Sequence, residues 1–210
     1  MFQDIIRKNQ LSQDLADIGR LLYEKRLTIA SGGNMSVRSE GSMLITPSGV
    51  CKGMLSAEDM IEIDISSGEI VGKGKPSIET PFHLGIYRSR PDANAVIHCH
   101  PVSCTVLAIQ AKNLLTNLTP ESLMILGKDV PMIPYDTPGS DGLAEKLISA
   151  MGSNKACIMQ NHGALVVGKN LMDAFLRMET LEYIATLQLK CGEVPGLPED
   201  EIERVLAMSK

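Results

Sequence analysis

Ala95-Val96-Ile97-His98-Cys99-His100 is a β-branched, apolar run that reads as a buried strand, with two histidines two residues apart. Side chains at i and i+2 of a strand point to the same side, so both imidazoles face one way from a core element. Cys99, between them, is turned to the opposite face and is expected as a small buried hydrophobe rather than a ligand. A third histidine, His162, interrupts a second strand-like run, Cys157 to Val167, in a polar Gln160-Asn161-His162-Gly163 turn. A lone histidine at a strand end is ordinarily a hydrogen-bonded rim residue. The chain has only 4 histidines, however, and placing three of them this way is an uneven use of a scarce residue. Three neutral imidazoles with an open fourth position form a usual catalytic zinc site, so His98, His100 and His162 are the expected metal ligands.

Outward from these strands, the spacing of Leu15, Ile18, Leu21 and Leu22 predicts a helix over residues 12–26. Residues 31–38 are expected as a Gly-rich turn entering a short strand, residues 42–45 as a second strand, and residues 61–65 and 70–71 as the arms of a hairpin around Ser66-Ser67-Gly68-Glu69. Lys75 to Pro81 opens a helix to about Arg90, with Pro81 suited to the first turn. Another helix runs from Pro101 to before Asn113, a short strand covers 130–134, and helices cover 141–151, 170–190 and 198–208. No repeat, low-complexity tract or linker divides the 210 residues, so residues 1–210 are expected to form one α/β domain, with helices packed on a mainly antiparallel sheet.

Hydrophobic content of 44% and charge of 21% are those of an ordinary soluble globule. A net charge of −5 without a basic stripe excludes nucleic acid and anionic membranes as expected partners. Aromatics are 3% with no Trp, so a base-stacking platform is not expected, while 12 methionines fill core gaps. Five scattered cysteines without a C-x-x-C pair indicate reduced thiols rather than a disulfide framework. The first residues show no signal-peptide pattern and no apolar run approaches ~18 residues, so a soluble, cytoplasmic protein is expected.

Three further segments bear on function. Ser31-Gly32-Gly33-Asn34, Thr46-Pro47-Ser48-Gly49 and Pro76-Ser77 are small, hydroxyl-rich turns of the kind that cradle a phosphate. Each by itself is ordinarily only a turn, and Glu79 at a helix start ordinarily serves the helix dipole. As a set they read differently. Ser-Gly-Gly-Asn-Met-Ser-Val-Arg (31–38), Ile-Thr-Pro-Ser-Gly (45–49), Pro-Ser-Ile-Glu-Thr (76–80), the stretch from His83 to His100, and Gln-Asn-His-Gly (160–163) follow in order. Together they resemble the class II aldolase family that includes L-fuculose-1-phosphate aldolase and L-ribulose-5-phosphate 4-epimerase, over roughly residues 10–190.

The resemblance implies a three-layer α/β/α fold around a mainly antiparallel central sheet, of the class II aldolase/adducin type. It implies a cyclic homotetramer with active sites between neighbouring subunits, acting on a small phosphorylated sugar. One Zn²⁺ per chain would be held by His98, His100 and His162, with Glu79 a ligand at rest and the proton carrier during turnover. Asn34, Ser48, Gly49 and Ser77 would hold the substrate phosphate. Ile78 departs from fuculose-phosphate aldolase, which has a serine there. The implied activity is a zinc-dependent lyase performing reversible retro-aldol cleavage of a ketose 1-phosphate to dihydroxyacetone phosphate and an aldehyde. The metal would polarise the carbonyl and stabilise the enediolate charge. A methylthioribulose-phosphate-type dehydratase, a sugar-acid phosphate decarboxylase and a pentulose-phosphate 4-epimerase remain open, although the epimerases carry Asp where Glu79 stands. A non-enzymatic, adducin-like interaction domain would have lost its metal ligands, and here all are present. The family's aldehyde-side tyrosine falls at Thr119 and the tail after Met208 holds no tyrosine, leaving Glu121 and Tyr135 as substitutes on residue type alone.

Overall fold

Eight strands join in one sheet of order β4-β3-β2-β1-β5-β8-β7-β6. They are β1 (Asn34–Ser39), β2 (Ser42–Ile45), β3 (Ile61–Asp64), β4 (Ile70–Val71), β5 (Ala95–Cys99), β6 (Met132–Ile133), β7 (Ala156–Met159) and β8 (Gly163–Gly168). Every neighbouring pair runs antiparallel except β6 with β7. The helices are α1 (Phe2–Glu24), α2 (Thr80–Ser89), α3 (Val102–Gln110), α4 (Pro120–Leu126), α5 (Asp141–Met151), α6 (Leu171–Cys191) and α7 (Glu199–Met208). This computed structural model describes residues 2–208; Met1 and the Ser209-Lys210 tail, where no tyrosine stands, lie outside them.

Strand alternation sorts the core into two layers. Met35, Val37, Ile97, Cys99 and Val166 face one side, packed with Leu15, Leu22, Leu107, Met178 and Leu181 of α1, α3 and α6. Met43, Ile45, Ile63, Val96 and Val167 face the other, against Phe82, Ile86, Leu143 and Leu147 of α2 and α5. Helices thus cover both faces, in the three-layer arrangement expected. Cys99 lies on the face away from His98, and burial pushes its thiol up to about 12. Among the described residues no helix is long and apolar enough to cross a membrane.

Two of the α-helices differ from the sequence expectation, and short 3-10 turns at Lys52–Met54, Ala57–Asp59 and Thr116–Leu118 add to it. Helix α1 begins at Phe2, well before residue 12. Its first turns are mostly exposed, Ile5 and Ile6 included, so they show no apolar stripe. No glycine or proline interrupts them until Gly19, so the helix propagates at little cost once nucleated. Helix α4 was not anticipated. Thr119 is its N-cap, accepting from Ser122 N at 3.3 Å, and Pro120 follows at the first turn. The residue standing where the family's tyrosine was expected therefore caps a helix.

Candidate active site

Strand register brings the histidines together. On β5, His98 lies opposite Asn34 of β1 and Leu165 of β8, and Cys99 lies opposite Ala164. The β7–β8 turn carrying His162 consequently arrives at the end of β5, beside His100. Close approach there requires glycine. A Cβ on Gly163 would stand 2.5 Å from the Cys99 carbonyl oxygen and 2.6 Å from His100 Cδ2. On the other flank Gly33, at φ +71°, would place one 2.5 Å from the His98 carbonyl oxygen. Gly163→Ala is expected to cost about 1–3 kcal/mol of stability through overpacking and to weaken metal binding by displacing His100. Chemical denaturation and metal titration check this; an alanine variant equal to the parent in both would contradict the packing.

The ligating atoms of His98, His100 and His162 lie within 4.8 Å of one another. His98 Nδ1 donates to the Ala164 carbonyl at 2.9 Å, which turns the Nε2 lone pair inward. Nε2 of His98 and Nε2 of His100 are 3.0 Å apart. Glu79 spans the cluster, with Oε2 3.3 Å from His98 Nε2 and Oε1 3.3 Å from His162 Nε2. Although Glu79 occupies the N-cap of α2, its side chain makes no capping hydrogen bond, so the helix does not explain it.

Burial holds the imidazole pKa values down: His98 well below its ordinary range, further lowered by its neighbours, and His162 to about 4. His100 is lowered by burial first and then by the Lys52 ammonium. All three are therefore neutral near pH 7, the form that binds a cation. Burial pushes the Glu79 carboxyl up, opposed by an amide hydrogen bond from Asn34. Glu79 Oε1 and His162 Nδ1 are buried and have no hydrogen-bond partner among the described residues. Converging nitrogen lone pairs and one carboxylate, whose Oε1 has no hydrogen-bond partner among the described residues, are a donor set that fits a divalent transition metal.

Asn34, Ser48, Gly49 and Ser77 line one open cavity of about 470 Å³ together with Glu79, His100 and His162. A bridge between Pro47 and Pro76, with Ser48 N–H donating to the Lys75 carbonyl at 3.0 Å, draws the two turns together. Ser77 Oγ accepts from Glu79 N at 3.2 Å, leaving its own O–H for another acceptor. The Asn34 amide is mostly engaged: Nδ2 donates to Glu79 Oε2 at 2.6 Å, and Oδ1 lies 2.5 Å from His83 Nε2. One amide N–H is left over. Ile78 is 61% exposed on the cavity wall.

Two residues of this region carried no expectation. Lys52 is 2% exposed and donates to the carbonyls of Val50 (2.7 Å) and Ser31 (3.1 Å), tying two cavity turns together. Nothing in its spacing marks it. His83 had a signal, since it follows Glu79 by four residues and precedes Tyr87 by four, the spacing of one helix face. Conversely, Thr119 and Glu121 line a different cleft, with Glu179 and Tyr183. Tyr135 is 54% exposed, and its backbone N–H donates to Gln160 Oε1 at 3.3 Å.

The Class II Aldolase and Adducin N-terminal domain profile matches residues 13–189. The chain is 39% identical over 172 residues to an L-fuculose phosphate aldolase of Methanocaldococcus jannaschii, covering 82% of this chain and 92% of that one. It is 36% identical over 178 residues to a 3-oxo-tetronate 4-phosphate decarboxylase of Haemophilus influenzae, covering 82% and 84%. A solved L-fuculose 1-phosphate aldolase superposes with a TM-score of 0.88 at 35% identity, covering 95% of each chain. Matching over most of its length in sequence and fold, the chain belongs to the class II aldolase and adducin N-terminal domain family.

Proposed function

We propose that this protein is a zinc-dependent lyase that cleaves a ketose 1-phosphate, reversibly, to dihydroxyacetone phosphate and an aldehyde. The observation that carries this reading is Glu79, held between His98 and His162 at the wall of a cavity whose other side is built from hydroxyl and amide donors. His98, His100 and His162 would hold the ion, which when bound supplies the positive charge that polarises a ketone and offsets a developing oxyanion. Ser48, Gly49, Ser77 and the spare N–H of Asn34 would hold the phosphate and fix the distance from it to the ketone. Glu79 would give the proton to the carbon released by cleavage, or take it in the reverse direction. Its burial raises the carboxyl toward the pKa that suits a proton carrier near neutrality.

A second reading has its own support, since relatives of equal similarity are named 3-oxo-tetronate 4-phosphate decarboxylases. Its chemistry uses the same residues. Decarboxylation of that acid and retro-aldol cleavage of a ketose 1-phosphate both push the electron pair of the broken C–C bond into an adjacent ketone. Both leave the same three-carbon phosphorylated enediolate, and a proton from Glu79 turns it into dihydroxyacetone phosphate. Only the departing fragment differs. An aldehyde leaves after losing a hydroxyl proton, whereas carbon dioxide leaves without one. The pair is therefore separated by the second product and not by dihydroxyacetone phosphate.

The expected result with zinc-loaded protein and a panel of pentulose and hexulose 1-phosphates is aldehyde release. Carbon dioxide from a 3-oxo sugar-acid phosphate, with no aldehyde from any ketose phosphate, would select the second reading. Charge-assisted bonds are worth roughly 1.5–3 kcal/mol each, so losing two should lower kcat/KM for the free sugars by about 10²–10⁴-fold. Free sugars turning over as well as their phosphates would remove Asn34, Ser48, Gly49 and Ser77 from that role. The homotetramer implied by the family is supported by α6, which buries Phe175, Met178 and Leu181 yet leaves Met172, Leu176 and Tyr183 half exposed.

A further inference from the structure

The fourth histidine, His83, is completely buried, at 0% exposure, and belongs to a continuous hydrogen-bonded polar chain within the core. Tyr87 OH lies 2.9 Å from Ser36 Oγ, which lies 2.7 Å from His83 Nδ1. His83 Nε2 meets Asn34 Oδ1 at 2.5 Å, and Asn34 Nδ2 meets Glu79 Oε2 at 2.6 Å. Asn34 and Ser36 stand two apart on β1, and Glu79, His83 and Tyr87 are spaced by four along the start and face of α2. The alternation of a strand and the turn of a helix thus build the chain jointly.

The direction of every bond follows from one end. An ionised Glu79 only accepts, so the Asn34 amide must present N–H to Oε2. Its carbonyl oxygen is then left facing His83, so His83 must carry its proton on Nε2. Nδ1 is consequently an acceptor, Ser36 donates to it, and Tyr87 donates to Ser36. Burial keeps His83 neutral, down to about 3, and raises the Tyr87 phenol, so the end donor keeps its proton. No second assignment satisfies all five groups while Glu79 is ionised.

We infer that His83 is a positioning residue which, through Asn34, locks Glu79 Oε2 as a hydrogen-bond acceptor and leaves Oε1 as the oxygen that carries the transferred proton. Oε1 faces His162 Nε2 at 3.3 Å and has no hydrogen-bond partner among the described residues, so of the two oxygens it is the one the Asn34 amide does not occupy. Without the histidine the amide is free to flip and offer its carbonyl oxygen to the carboxyl, which would hold the proton on Oε2. The inference rests on the reading of Glu79 as the proton carrier.

Four variants and one spectrum test it in the full-length, metal-loaded protein. His83→Phe removes both ring nitrogens. It is expected to lower kcat by about 10–100-fold, as loss of a supporting partner typically does, with KM and metal content within about twofold. His83→Gln, whose amide can donate to Asn34 and accept from Ser36, is expected to recover most of that loss. Ser36→Ala, a smaller change that serves if His83→Phe does not fold, should produce a weaker drop of the same kind. Nitrogen-15 shifts of labelled imidazoles in the unaltered protein should show His83 protonated on Nε2 only. A His83 protonated on Nδ1, or a kcat unaffected in both His83→Phe and Ser36→Ala, overturns the inference while a Glu79→Gln defect leaves the parent reading standing. A fully active Glu79→Gln protein overturns both.

Discussion

Glu79→Gln is expected to leave a folded protein that still binds its metal but turns over about 10²–10⁴-fold more slowly, the usual contribution of a general acid–base residue. Glutamine fills the same space and keeps an oxygen for Asn34 Nδ2, so the buried contact at 2.6 Å survives. What it cannot do is exchange a proton. The three imidazoles remain, so metal content should be close to that of the parent. Steady-state kinetics on the cleaved substrate, paired with metal analysis of the same preparation, makes the measurement. A loss below about threefold would place Glu79 outside the proton path. An intact rate would also mean that the short contacts between Glu79 and the histidines are only structural.

His100→Ala is expected to abolish metal binding at micromolar concentrations and activity with it. The effect should exceed the roughly 10–100-fold cost of removing a supporting partner, because a ligand itself is lost. His100 is the better test than His98. His98 is fully buried in the sheet and bonded to the Ala164 carbonyl, so its removal would leave a cavity and an unpaired acceptor and confound binding with folding. His100 lies just past β5, is partly exposed and borders the cavity, so the fold should tolerate alanine. Equilibrium dialysis against zinc and a thermal unfolding curve separate the two effects. Full metal content in a folded His100→Ala protein would rule the three-histidine site out.

The two strand histidines were legible because a strand's period is two. His98 and His100 had to share a side and Cys99 had to take the other, where it packs among Ile97 and Met178. The helix starts at Pro81, Asp141 and Asn170 were equally readable, since caps and prolines act within a few residues. The first turns of α1 were not, because Ile5 and Ile6 meet solvent and leave no periodic stripe. Thr119 shows the same limit from the other side. Its local chemistry announces a helix cap, and only a family position suggested anything else.

Local pattern also could not say what Glu79 does. At the start of a helix a carboxylate reads as a dipole partner, and it is the crossing of α2 over β1 and β5 that turns it away from the helix end and onto His98 and His162. Asn34 was readable as part of a turn, but not as the amide between His83 and Glu79, residues 49 and 45 positions away. Residue type, alternation and capping are properties of a few neighbouring residues, so the three candidate histidines, the turns and most of the elements were written in the sequence. Which carboxylate oxygen meets the Asn34 amide and which faces His162 depends on strand register and helix docking. Those are settled only when apolar faces distant in the chain are buried against each other.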